Sequence, residues 1–242
     1  MVRIAIALIA SLVLVLICSG APAEAGAPAD LEAATASAQP AFVVVTQSNA
    51  KGTDRAVAVA KKAQALAPGS RLVLVDRAVP ENKALVERFR VLSAPVPLIL
   101  VVAHNGVVAG GAYLKQATPQ SLASMVPSPK KADLLLALTQ KRPTFLVFSH
   151  KDQPTQSQVF EACTQAVQQL DRKATTVVVD IKDKAEQRFL KGMKIDPKAK
   201  LPVVVVFNVK GQKTDVYRQA VTAAQLVQSS KKKAPCCPTG DC

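Results

Sequence analysis

Short unbroken apolar runs alternate along this chain with stretches in which apolar side chains recur every third or fourth position. Runs such as Phe42 to Thr46, Arg71 to Asp76 and Pro97 to Ala103 have strand length, are rich in valine, and predict buried strands. Between the first two, Val59, Ala63 and Leu66 recur at helical spacing, with Thr53-Asp54 as the expected cap and Pro68-Gly69 as the stop. Pro80 opens a shorter helix through Phe89. His104-Asn105-Gly106 reads as a hairpin turn into a fourth strand, Val107 to Tyr113. Thr118, with Pro119 at the first helical position, starts a closing helix through Val126.

The same order then returns. Strands are expected at Thr144 to Ser149, Thr175 to Ile181, Pro202 to Asn208 and Lys213 to Arg218. Helices are expected at Ser157 to Leu170, Lys184 to Met193 and Thr222 to Ser229, with Asp133 to Gln140 ahead of them and a weaker counterpart at Asp30 to Ala38. Laid on itself at an offset of about 104 residues, the chain repeats its landmarks in order. Pro40-Ala41-Phe42-Val43 meets Pro143-Thr144-Phe145-Leu146, Val75-Asp76 meets Val179-Asp180, Val96-Pro97 meets Leu201-Pro202, and Asn105-Gly106 meets Lys210-Gly211. Two copies of one domain account for this. The divisions are a leader over 1–25, a first domain over 27–127, a second over 130–230 and a Lys/Cys-rich tail over 231–242, with Pro127 to Lys131 as linker.

The order of elements, the Val96-Pro97-Leu98-Ile99-Leu100-Val101 and Leu201-Pro202-Val203-Val204-Val205-Val206 strands, the glycine hairpins after them and the strand-end Asp76 and Asp180 resemble the thioredoxin family. The resemblance implies an α/β chain of two tandem thioredoxin-like domains, each with a mixed central sheet flanked by helices. It also implies cis peptide bonds before Pro97 and Pro202. Catalytic members carry Cys-x-x-Cys where the first long strand meets a helix, since the helix N-terminus lowers the thiol pKa. The matching stretches here are Thr46 to Thr53 and Ser149 to Thr155. Asp152-Gln153-Pro154-Thr155 keeps the spacing with both sulfurs replaced, so thiol exchange from these sites is excluded. Cysteine-free domains of this kind resemble the substrate-binding domains of protein disulfide isomerases. By that likeness Val96, Pro97, Leu201 and Pro202 would offer backbone to an extended peptide. His150 reads as an exposed loop histidine, His104 as a turn residue, and Cys163 as a small buried thiol in a helix.

The first residues change the setting. Arg3, an apolar run from Ile4 to Ile17 and the small residues Ala21 to Ala27 predict a signal peptide cleaved after Ala23 or Ala25. An exported protein, periplasmic or secreted, with no transmembrane span after cleavage is expected. Cleavage after Ala25 removes Arg3 and Glu24, one charge of each sign, so the formal net charge stays at +14. That balance favours anionic surfaces. Nucleic acid fits neither export nor a chain with no Trp and two Tyr. A protein or peptide partner in the envelope is the expectation from the resemblance.

The remaining chemistry sits at the far end. Three of the five cysteines, Cys236, Cys237 and Cys242, follow Lys231-Lys232-Lys233. Pro238 to Asp241 is turn chemistry that brings Cys242 back toward the vicinal pair. Three readings stay open for this tail: a soft-metal site for Cu(I) or Zn, a redox-active tail, or a structural or tethering disulfide. The alternative function is accordingly a thiol-redox or metal-handling protein.

Overall fold

Valine runs bounded by helix-forming stretches give eight helices and eight strands among the residues described by a computed structural model, 26–48 and 50–233. The expected leader with Cys18, and the tail cysteines Cys236, Cys237 and Cys242, lie outside the described residues. In the first unit the elements are α1 (Ala27–Ala36), β1 (Ala41–Thr46), α2 (Thr53–Leu66), β2 (Arg71–Asp76), α3 (Lys83–Phe89), β3 (Leu98–Val102), β4 (Val108–Tyr113) and α4 (Pro119–Met125). The second unit has α5 (Pro129–Thr139), β5 (Thr144–Ser149), α6 (Gln156–Gln169), β6 (Thr175–Asp180), α7 (Gln187–Gly192), β7 (Val203–Phe207), β8 (Lys213–Tyr217) and α8 (Ala223–Lys231). A 3-10 turn, Pro80–Asn82 or Lys184–Glu186, leads into α3 and α7.

Each sheet has four strands, in the orders β2-β1-β3-β4 and β6-β5-β7-β8. β1 runs parallel to β2 and β5 parallel to β6, which demands a crossover, and α2 and α6 supply it. β3, β4, β7 and β8 are added antiparallel, with a register shift at Val101/Val102 in one unit and at Val206/Phe207 in the other.

The central strands are apolar throughout because both faces are covered. Val43 and Val45 pack with Leu31, Leu85 and Val86 from α1 and α3, whereas Phe42 and Val44 pack with Ala56, Ala60 and Leu122 from α2 and α4. In the second unit Leu146 and Phe148 meet Leu134 and Leu190, while Phe145 and Val147 meet Val159, Cys163 and Leu226. Two buried layers per sheet, repeated, are the duplicated architecture read from the spacing.

Three local expectations are corrected. Thr53 does not cap α2. Gly52, at φ +89°, takes that position, and the Thr53 hydroxyl instead donates to the Ala50 carbonyl at 3.0 Å. Residues 129–131 are not linker but the first turn of α5, since Pro at N1 suits a helix start and Glu186 supplies an acceptor for its amides. That shortens the connection, and Ala132 of α5 buries against Ala103 and Val107 of the first unit's hairpin. Val96–Pro97 is cis, but it is the one cis bond among the described residues, so the expectation fails at Leu201–Pro202. There the preceding loop is folded differently. Asp196 closes a turn on the Lys198 amide at 2.8 Å, and the Ala199 carbonyl is taken by Gln153 at 2.6 Å, so the chain reaches Pro202 in the trans form that X–Pro bonds otherwise favour.

Candidate functional site

At the C-terminal ends of β1 and β5 the chain leaves the sheet and turns into a helix, beside the loop that precedes β3 or β7. In the first unit this corner is built from hydroxyls, an amide and one guanidinium. Thr46 and Thr53 share a 2.6 Å hydrogen bond across the base of the loop, and Ser48 donates to Asp76 at 3.1 Å. Arg77, the residue after β2, donates to the Gln47 side chain at 2.7 Å. Its other end donates to the carbonyls of Val91, Leu92 and Ala94 at 2.7–2.9 Å. One side chain therefore fixes the helix-start loop to the loop that leads into Pro97. Five donors in a rigid fork suit this task, and a lysine would not reproduce it.

The second unit does the same job with other residues. Ile181 stands where Arg77 would be, and Gln153 makes the tie, accepting from the His150 amide at 2.9 Å while donating to Ala199. His150 is not the exposed loop residue expected from sequence. Its ring is 12% exposed and lies between two carboxylates, with Nδ1 3.0 Å from Asp180 and Nε2 3.1 Å from Asp152. Asp180 is held below the usual carboxylate range, chiefly by the Lys182 amide that donates to it; burial opposes this, and the His150 ring adds to the lowering.

Of the four degenerate-site residues, Asp152 and Gln153 make these contacts and Pro154 continues the turn. Thr155 occupies the N-cap of α6 at φ +64°, with its hydroxyl buried and without a partner among the described residues. Pro97 and Pro202 are buried at the edge of each loop, Val96 is half-buried and Leu201 is 36% exposed. Among the described residues neither the amide nor the carbonyl of Val96 or Leu201 has a hydrogen-bond partner. Sequence reasoning placed these residues but missed Arg77 and the Asp180–His150 contact. Only the register of the parallel pair, with Ser149 opposite Asp180, brings the latter two together.

What this corner does chemically is limited by what it lacks. It contains no sulfur, and Ser149, the hydroxyl next to His150, accepts from Gln156 at 3.2 Å. Among the described residues no group of three His, Cys, Asp or Glu side chains is placed to hold a metal ion. Cys163 lies in α6 with its thiol pushed up to about 12 by burial, which removes the thiolate that reacts. An alkylating reagent at mildly alkaline pH will therefore leave Cys163 unmodified in the native protein and label it once denaturant is added, as peptide mapping by mass spectrometry will read. Labelling of the native protein at the rate of an exposed thiol contradicts this burial. Because the folded value is raised, this thiol's contribution to stability is full below its ordinary value of 9.0 and is lost as pH rises toward about 12.

No protein-family model and no curated protein matches the chain. Solved structures do. It is similar to the first two thioredoxin domains of Eps1p from Naumovozyma dairenensis, at 11% identity over 90% of this chain and 99% of that one, with a TM-score of 0.32. The corresponding Saccharomyces cerevisiae structure matches at 12% identity over 84% and 94%, with a TM-score of 0.31. Trxlp from Edwardsiella tarda EIB202 matches at 16% identity over 39% and 88%, with a TM-score of 0.32. The fold rests on the geometry itself: a parallel β-α-β crossover followed by an antiparallel hairpin, in one strand order twice over, makes this chain two thioredoxin-like domains in tandem.

Proposed function

We propose that this chain is an exported, non-catalytic thioredoxin-like protein that holds extended peptide segments as a binding or scaffold module of the cell envelope. The observation that carries the reading is the sulfur-free corner in both units. The loops that would present a Cys-x-x-Cys are instead tied down by Arg77 and by Gln153 beside residues whose main-chain groups lack partners, Val96 and Leu201. Unpaired backbone just ahead of β3 and β7 suits pairing with an extended segment, in which main-chain hydrogen bonds give affinity with weak demands on sequence. The half-exposed Leu201 adds an apolar contact for a passing side chain. Export rests on the leader read from the first residues. Among the described residues no helix is long and apolar enough to cross a membrane.

Two measurements test the reading. The full chain will not accelerate reduction of insulin by dithiothreitol. It will bind a fluorescein-labelled, reduced and carboxymethylated unfolded polypeptide, and Leu201→Asp will weaken that binding about tenfold, a change of about 1.4 kcal/mol. Insulin reduction by the full chain that disappears when Cys236, Cys237 and Cys242 are replaced by serine overturns the proposal in favour of thiol chemistry in the tail. An affinity unchanged in Leu201→Asp removes the pre-proline site.

A further inference from the structure

Charge is divided unequally between the two units. Residues 128–233 carry twenty Lys and Arg against nine Asp and Glu, whereas residues 26–127 carry ten against six. Much of the excess gathers at one pole of the second unit, around an open cleft of about 630 Å³. Exposed Lys141, Lys173, Lys210, Lys231 and Lys233 rim it, brought together from the α5–β5 turn, the α6–β6 turn, the β7–β8 hairpin and the end of α8. Its apolar lining is Pro143, Leu170 and Val209, and one carboxylate, Asp171, lies in it 3.8 Å from the Lys173 ammonium. Pro143 precedes β5, and His150 follows it, so this pole lies at the opposite end of the strand from the degenerate thioredoxin corner.

The hairpin tip is the informative part. Asn208 accepts from the amides of Lys210 and Gln212 at 3.0 and 3.1 Å, and its side-chain amide donates to the Lys232 carbonyl at 2.9 Å. This leaves Val209 standing out at 51% exposure, with lysines on either side. The first unit's equivalent tip, His104-Asn105-Gly106, is polar and at most half-exposed.

We propose that this pole of the second unit docks on an anionic phospholipid bilayer, with Val209 entering the headgroup region and the lysine ring facing acidic lipids. An aliphatic tip within a ring of long cationic side chains is the chemistry of interfacial binding. The stems lie along apolar surface while the ammonium groups reach the headgroups. Lysine supplies point charges suited to a diffuse negative surface, whereas bidentate recognition of an individual phosphate or carboxylate favours arginine, which does not line this cleft. Nor does an aromatic ring line it, so nothing there stacks on an unpaired base. The uneven charge gives the molecule a field that turns this pole toward a negative surface before contact.

The test is co-sedimentation of the full chain with phosphatidylcholine vesicles that contain about one-third phosphatidylglycerol, which gives them an anionic surface. Binding is expected there and not to pure phosphatidylcholine. Replacing Lys141, Lys173, Lys210 and Lys233 by glutamine will lower partitioning about tenfold or more. An equal loss of charge in the first unit, at Lys61, Lys62, Lys83 and Lys115, will lower it far less. These eight side chains are exposed, so both variants are expected to fold, with circular dichroism as the check. Val209→Asp will reduce binding further. Equal losses from the two quadruple variants, equal binding to neutral vesicles, or no effect of Val209→Asp each overturn the proposal. So does displacement from vesicles by a single-stranded oligonucleotide at matched phosphate concentration, which would make the pole a nucleic-acid surface.

Discussion

Replacing Glu186 with alanine will destabilise the second unit by about 3 kcal/mol, the cost of removing a buried ionised acceptor that serves two donors. Glu186 is 1% exposed, the most deeply buried acidic residue described. One carboxylate oxygen accepts from the Ser128 hydroxyl at 2.6 Å and the other from the Lys130 amide at 2.9 Å. Those partners are the N-cap residue and the second residue of α5, so a side chain from the 3-10 turn before α7 caps a helix whose second residue lies 56 positions earlier in the chain. The negative charge also faces the positive end of the α5 dipole. Removal leaves a half-buried hydroxyl and a half-buried amide without this acceptor. Glu186→Gln keeps one acceptor and the shape, so its loss is expected to be about half.

Urea denaturation with hydrogen exchange resolved by peptide will locate the effect, because a chain of two units need not unfold in one step. Faster exchange confined to α5, α7 and their strands supports the assignment. A change under about 0.5 kcal/mol, the ordinary size of a surface substitution, removes it.

Glu186 also marks the limit of what could be read before a structure was in hand. The central strands β1, β3, β5 and β7 were legible because burial on both faces writes itself as unbroken apolar runs, and β1, β2 and β5 fall within a residue of their expected bounds. The duplication was legible because the repeat preserves order and offset. Partnering leaves no such trace. Glu186 reads as an ordinary charge in a short polar helix, and Arg77 as one more surface arginine after a strand. His150 is enclosed by an aspartate thirty residues away that only the β5–β6 register brings near. The two helix starts depart from rule because a left-handed residue, Gly52 or Thr155, takes the cap position from the side chains that composition nominates.

The two copies explain one another in this respect. At matching positions Arg77 gives way to Ile181, and the tie to the pre-proline loop passes to Gln153. Asn82, which donates to the Asp76 carbonyl at 2.9 Å, gives way to Glu186, and Gln187 takes over by donating to Ile181 and Asp183 at 3.0 Å. The backbone arrangement is kept while the side chains that secure it are exchanged, so a motif search sees two weak matches where the sheet shows one design. The proline before β7 follows the same logic. Its loop is fastened through Ala199, and the peptide bond differs from that before β3.

Gly111→Val will cost the first unit about 3 kcal/mol, within the range for forcing extra volume into a packed site. Gly111 pairs with Leu100 in the β3–β4 ladder, and its backbone angle is one any residue adopts, so the constraint is space. A Cβ there would stand 2.9 Å from the Ile99 carbonyl oxygen and 2.9 Å from Leu100 Cδ2, with Leu100 Cα at 3.4 Å. The leucine methyl can turn aside, but the carbonyl belongs to the central sheet and cannot. β4 must therefore move off β3, weakening the ladder that carries the hairpin and, through Leu98 and Pro97, the loop beside the candidate site. Two other glycines set the scale. At Gly110 the nearest atom to a new Cβ is the flexible Met125 Sδ at 3.2 Å, so Gly110→Ala will cost well under half as much. At Gly192, in α7, nothing lies within 4 Å, and alanine will stabilise by about 0.5–1 kcal/mol through helix propensity. Thermal and urea unfolding of the three variants will rank them in that order. A Gly111→Val protein as stable as the parent would mean that β4 sits further from β3 than the 2.9 Å contact requires.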